Sequence, residues 1–162
     1  TMADDFSASN NASEPIFHTS IVADGYSYWR SRTIDGRLPN RADINPIDIP
    51  RLMPNVVLLD VRREPEFDFR YRLVGTNVTE HHFRDYTGSW FSEIDHKKAP
   101  SQIWQNCKSV AETGRPHLDG TPYEGPHQGY RDTEDVILPL AEDGHTVDTL
   151  LAFICFTSKA DE

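Results

Sequence analysis

FDFRYRLVGT, residues 67–76, is the stretch that decides how this chain folds. From Asp68 the residue types alternate. Phe69, Tyr71 and Leu73 therefore share one face of a strand, and Arg70 and Arg72 take the other. Gly75 ends the alternation, and DYTG follows at residues 85–88. A half-buried strand running into a compact helical connection predicts a sheet that holds something against helices.

Immediately upstream, VVLLDVRR (residues 56–63) is β-branched, apolar on both faces at its start and charged at its end. That composition predicts a strand partly buried on both sides, joined through EPEFD as an antiparallel hairpin. Further upstream, Pro39, Pro46, Pro50 and Pro54 forbid a long helix or central strand between residues 34 and 55. Asp48-Ile49-Pro50 offers a single helical turn through Leu52 and Met53. From His18 to Arg32 the pattern is helical, with Ile21, Val22, Gly25, Tyr28 and Trp29 near one face. Gly25 weakens such a helix by about 1 kcal/mol relative to alanine, so packing through Trp29 has to hold it. Residues 2–15 are polar and small, and are expected to form a disordered tail ahead of a single domain at 16–158.

Downstream of Gly75, Asn77 and Glu80 have capping-box spacing for a short helix at residues 78–83. SQIWQNCKSVAET (residues 101–113) sets Ile103, Trp104, Cys107, Val110 and Ala111 on one stripe. Ser101 at its start and Gly114 at its end predict the best-defined helix of the chain. Residues 116–123 are expected to pair as a strand with the region from Tyr130. EDVILPL (134–140) and DTLLAFICFT (148–157) follow as strands around an Asp143-Gly144 turn. The last strand is apolar on both faces, so a central position is expected, with the N-terminal helix as its second cover.

At 162 residues the chain has the size of one domain with a full core. Its net charge of −10 argues against nucleic acid, which requires a basic footprint, and weakly against anionic membranes. No apolar run approaches the roughly 18 residues of a membrane span, and no signal-peptide pattern is visible. Two cysteines, Cys107 and Cys155, are no disulfide framework. The cytoplasm is the expected compartment.

The segments YWRSRTIDGRLPNRADINP, IPRLMPNVVLLDV, FRYRLVGT, RDYTG, ETGRP and ILPLAEDGHTVDTLLAF together cover about residues 26–155. In this combination the chain resembles a PAS domain, of the bacterial type often found as short, nearly standalone proteins. Arg84 departs from the pattern, which has glycine before the Asp-x-Thr-Gly turn. The resemblance implies an α+β fold: a five-stranded antiparallel sheet with helices on one face, and an N-terminal helix on the other face or at a dimer interface. It implies a sensory or ligand-binding module rather than an enzyme. It leaves the ligand and any cofactor unnamed. Without a kinase, cyclase or DNA-binding segment in the sequence, output is expected to pass through a homodimer or a partner protein.

Within that frame Tyr71, Tyr86, Trp90, Phe91 and Trp104 are the candidate pocket residues, because the inner strand face and the helices converge on them. Ordinary core filling is the competing reading. His117 and Arg131, near strand ends, are candidate polar contributors. His81 and His82 point about 100° apart on a helix and form no same-face pair. His82 with Asp85 supplies too few ligands for a metal. With His96, these histidines are the candidates for haem ligation, for which exposed imidazoles are the simpler reading. Cys107 lies on an apolar stripe, where a thiol packs as a small hydrophobe. Arg62, Arg63, Arg70 and Arg72 concentrate positive charge on the first hairpin, with Glu64, Glu66 and Asp68 available to neutralise it. Two alternatives remain: a ligand-free interaction module of the same fold, and a small cone-shaped α+β enzyme acting on a hydrophobic substrate. The latter places most helices before its sheet, whereas two strands precede the main helix here.

Overall fold

The strands β1 (Val56–Arg62) and β2 (Asp68–Val74) pair antiparallel, with Leu59 opposite Tyr71 and Asp60 opposite Arg70. The computed structural model describes residues 15–118 and 130–158. The strand β3 (Tyr130–Leu140) pairs antiparallel with β4 (Thr149–Ser158), and β4 lies beside β1, giving the order β2-β1-β4-β3. The central position of β4 follows from its composition, since Leu150 and Ala152 face one side and Leu151 and Phe153 the other, all buried. The Asp143-Gly144 turn forms as its sequence predicts. Gly144 has φ +83°, and the Asp143 carboxylate accepts hydrogen bonds from the backbone N–H groups of His145 and Thr146.

Among the described residues the sheet has four strands rather than five. The expected fifth, at residues 116–123, lies outside the described residues from 119 onward. At its start His117 exchanges two backbone hydrogen bonds with Ile137 on β3, at 2.9 and 3.0 Å.

Two cores follow from strand alternation. Val57, Leu59, Phe69, Tyr71, Ile137, Leu150 and Ala152 face the helices α2 (Thr76–His82) and α3 (Gln102–Thr113). On the opposite face Val56, Leu58, Val136, Leu138, Leu140, Leu151 and Phe153 meet α1 (Ser20–Ser31). Helix α1 buries Val22, Tyr26 and Trp29, each worth roughly 1.5–3 kcal/mol of apolar transfer. The Trp29 indole Nε1–H donates to the Pro139 carbonyl at 2.9 Å. At the helix start the Glu134 carboxylate accepts from the N–H groups of His18 and Thr19 and from the Thr19 hydroxyl. Burial works against that carboxylate, and these hydrogen bonds more than offset it, holding its pKa below the ordinary glutamate value. Gly25 lies directly against the Phe153 ring, where a Cβ would collide. The helix-weakening glycine is thus the residue that lets α1 approach the sheet.

Helix α3 begins at Ser101, whose hydroxyl accepts from the Trp104 N–H, and ends at Gly114 with φ +71°. The expected capping box of α2 does not form. Gly75 is its N-cap, no side chain caps it, and Asn77 donates instead to the Asn55 side chain at 3.0 Å. Asn55 in turn donates to the Ile154 carbonyl, so the amides pin α2 to the sheet. The proline-rich connection also differs from expectation. The expected turn after Asp48 is present, with the Ile49 carbonyl accepting from the N–H groups of Leu52 and Met53, but 3-10 turns fall as well at Arg41–Asp43, Pro46–Asp48 and Met53–Asn55, with Pro46 and Pro54 in their first turns. Among the described residues no helix is long and apolar enough to cross a membrane.

Candidate functional site

The turn DYTG carries Tyr86 back onto β2. The Asp85 carboxylate accepts from the Thr87 N–H and hydroxyl, closing a local turn. Gly88, at φ +91°, donates its N–H to the Tyr71 carbonyl, and the Tyr71 N–H donates to Ser89. Residues 88–90 therefore run along the free edge of β2. The Tyr86 ring stacks on Tyr71 with centroids 6.1 Å apart.

Phe91 reaches the same place by a different route. Asp68, buried at the start of β2, accepts from the Ser92 N–H and hydroxyl and pairs with Arg62 at 2.9 Å. This fixes the 3-10 turn Phe91–Glu93 so that the Phe91 ring lies 5.3 Å from Tyr71 and 5.5 Å from Phe69. From α2, His82 meets Tyr71 at 5.9 Å and Tyr86 at 5.2 Å, edge to face in both cases. His96, half-buried, meets Tyr86 edge to face at 6.2 Å.

Three of the candidate residues, Tyr71, Tyr86 and Phe91, thus come together. Trp90 goes elsewhere. Its ring lies under the guanidinium groups of Arg62, at 4.4 Å, and Arg70, at 5.5 Å, which project from the other side of the hairpin. Those arginines find their carboxylates mainly in Asp60 and Asp68: Arg70 and Arg72 both bind Asp60 at 2.9 Å, and Glu64 and Glu66 play no part in these pairs. Trp104 docks at the start of β2, its Nε1–H donating to the Phe67 carbonyl at 3.0 Å. His117 is half-buried and acts through its backbone in the bridge to Ile137. Arg131 lies on β3, but its side chain is outside the described residues.

The electrostatics single out His82. It is 7% exposed, and its Nδ1 is buried without a hydrogen-bond partner. Such an orphaned polar atom costs about 1–3 kcal/mol. Burial, then the charges of Lys97, His96 and His81, lower its pKa from 6.5 to about 3. Burial also pushes the Tyr71 phenol and the Cys107 thiol well above their ordinary values, so both stay neutral. Cys107, fully buried on α3, packs as the small hydrophobe its stripe predicts. Its thiol feels two opposed charges, Asp135 raising and Lys97 lowering its pKa.

Lys97 and Asp135 escaped the sequence reading. Asp135 had a signal: alternation puts it on the Ile137 side of β3, so a carboxylate faces the helices, and it is 3% exposed. Lys97 sits in an irregular segment with no periodicity to orient it. Among the described residues, no three histidine, cysteine or acidic side chains gather to hold a metal.

A pH dependence follows. His82 is neutral in the fold, while the unfolded chain takes up a proton below about pH 6.5, so stability should fall as pH drops from 6.5 toward 3. The slope can reach about 1.4 kcal/mol per pH unit. Glutamates begin to contribute only near 4.5, which leaves a window above that value where the His82 contribution can be read by difference against a variant that lacks it. Urea midpoints measured at steps through that window should fall more steeply for the native chain than for His82→Gln. Parallel curves for the two proteins would refute the buried neutral imidazole.

The comparison with curated proteins returned no match. A family model described as PAS domain matches residues 17–155, which include all four strands but for the end of β4, the three helices and the Tyr71–His82 cluster. With a sheet flanked by helices and a matched span of well over half its length, the chain belongs to the PAS domain family.

Proposed function

We propose that this chain is a sensory, ligand-binding PAS module. In this reading a small molecule lies between the β1–β2 hairpin and α2, against Tyr71, His82, Tyr86 and Phe91. The observation that carries it is the buried His82 Nδ1, unsatisfied inside an aromatic cluster. Ligand sites are typically apolar with a few such convergent polar groups. Residues 16–158 form the sensing unit, the setting is the cytoplasm, and the signal leaves through a homodimer or a partner protein rather than through catalysis. Helix α1 suits that output. Trp29 and Glu134 tie it to β3, while its outer side carries a groove lined by Phe17, Ala23, Tyr26 and Arg30.

Native mass spectrometry of gently purified protein tests the reading. A retained small molecule, lost on denaturation, is the expected result. A bare chain favours the second reading, a ligand-free interaction module. That reading has its own support in the close packing of Tyr71, Phe91 and Cys107, none more than 4% exposed.

A further inference from the structure

We propose that the overhanging end of the β3–β4 hairpin links α2 mechanically to α1, through hydrogen bonds that run from Asn77 to the carboxylate capping α1. The register creates the overhang. β4 pairs with β1 as far as Phe153 opposite Val56, while its pairing with β3 runs on to Ser158. From Ile154 onward β4 has therefore outrun β1. The Asn55 amide stands in for the next β1 residue, its Nδ2 donating to the Ile154 carbonyl at 2.8 Å. Asn55 is buried, and its Oδ1 accepts from the Asn77 Nδ2 at 3.0 Å. An amide carries a donor and an acceptor on one planar group, so it serves both neighbours at once. Four residues beyond Asn77, and so on the same side of α2, the His81 ring stacks on Phe156 with centroids 3.9 Å apart. Helix α2 thus grips the overhang at two places, Ile154 and Phe156.

Helix α1 rests on the other face of the same overhang. Cys155 alternates with Ile154 and Phe156, so it and its cross-strand partner Glu134 face α1. The Glu134 carboxylate accepts from the His18 and Thr19 N–H groups at 2.6 and 2.8 Å and from the Thr19 hydroxyl at 2.6 Å. Thr19 is the N-cap of α1, and its hydroxyl oxygen accepts from the Val22 N–H. The place of Glu134 therefore depends on the twist of a two-stranded ribbon, which deforms more readily than a wide sheet. When Asn77 releases Asn55, the brace on Ile154 loosens, the ribbon twists, and Glu134 shifts against Thr19. That the disturbance starts at α2 rests on the ligand-site reading above, because α2 carries His82. The link itself does not, and by reciprocity a displaced α1 loosens α2.

Hydrogen exchange of the whole chain, followed amide by amide in NMR spectra, tests this with Asn77→Asp. Asn77 is exposed in the first turn of α2, where an aspartate suits the helix, and the substitution keeps the side-chain shape while removing the donor. The Val22 and Ala23 amides, both bonded to Thr19, should exchange about threefold faster or more, the effect expected of one lost hydrogen bond. The His18 and Thr19 N–H signals should shift, while amides of β1 and β2 keep their native rates. Glu134→Gln weakens the cap directly and should speed the same two amides, with little further rise when Asn77→Asp is added to it. Native rates at Val22 and Ala23 in Asn77→Asp overturn the link. So does a rise matched in β1 and β2, which is plain loss of stability. Neither result depends on a bound molecule: a failed link leaves the ligand-site reading standing, and a bare chain in native mass spectrometry leaves the link standing.

Discussion

Gly75→Ala should destabilise the protein by about 3 kcal/mol, the upper part of the range for overpacking a tight contact. Gly75 has φ −64° and ψ 157°, a conformation alanine adopts freely. Loss of unfolded-state freedom alone would make the substitution stabilising by about 0.4–1 kcal/mol. The surroundings reverse the sign. A Cβ here would run into the backbone carbonyl oxygens of Met53 and Pro54, and backbone cannot rotate aside as a side chain does. The Gly75 N–H also donates to the Val56 carbonyl at 2.8 Å, so the residue cannot simply lift away. What must move is the start of α2, together with the Asn77–Asn55 contact. Because α2 carries His82, the same substitution should shift the His82 ring signals in an NMR spectrum. A melting temperature equal to or above that of the native chain would rule out the close approach.

This contact was invisible in the sequence, where Gly75 read only as the end of a strand. The reason applies to the rest of the chain. Periodicity reports which side of an element is buried, so β1, α3, the doubly buried β4 and the inward direction of Phe69 and Tyr71 on β2 were legible. Leu73, expected on that same face, is instead turned outward by a bulge opposite Leu58 and Leu59 and stands 37% exposed. Periodicity does not report what lies across the interface. The capping-box spacing of Asn77 and Glu80 was a sound local signal that lost to a partner 22 residues away in sequence. Trp90 and Phe91 illustrate the limit within the site. They are adjacent and equally aromatic, yet residues 88–90 run along the β2 edge in strand fashion, which sends the two rings to opposite sides. Composition grouped them, and backbone direction separated them. His82 was weighed in the sequence as a metal or haem ligand. Its actual distinction is burial without a partner, which depends on Tyr71 and Tyr86 arriving from other elements.

Trp29→Ala should be costlier still, about 3–5 kcal/mol, because it removes a large buried ring and leaves a cavity that neighbours fill only in part. Trp29 is 5% exposed and packs among Tyr26, Leu138 and Leu140 on the outer sheet face. Its indole N–H satisfies the Pro139 carbonyl, which would lose its side-chain partner. Trp29→Phe separates the two contributions: it keeps most of the apolar volume and loses the hydrogen bond, so a loss of about 1–2 kcal/mol is expected. Calorimetric melting of the three proteins should rank them native, Phe, Ala. Hydrogen exchange adds the location. If Trp29 anchors the helix, α1 amides should lose protection in Trp29→Ala before those of the central strand β4, since the opposite core of Phe69, Phe91 and Val110 is untouched. A variant that melts like the native chain but changes its oligomeric state would mean that Trp29 serves a contact between copies rather than its own sheet. Uniform loss of protection would instead mean that the two cores unfold as one unit, and that a disturbance on the His82 side reaches α1 through the sheet with little attenuation.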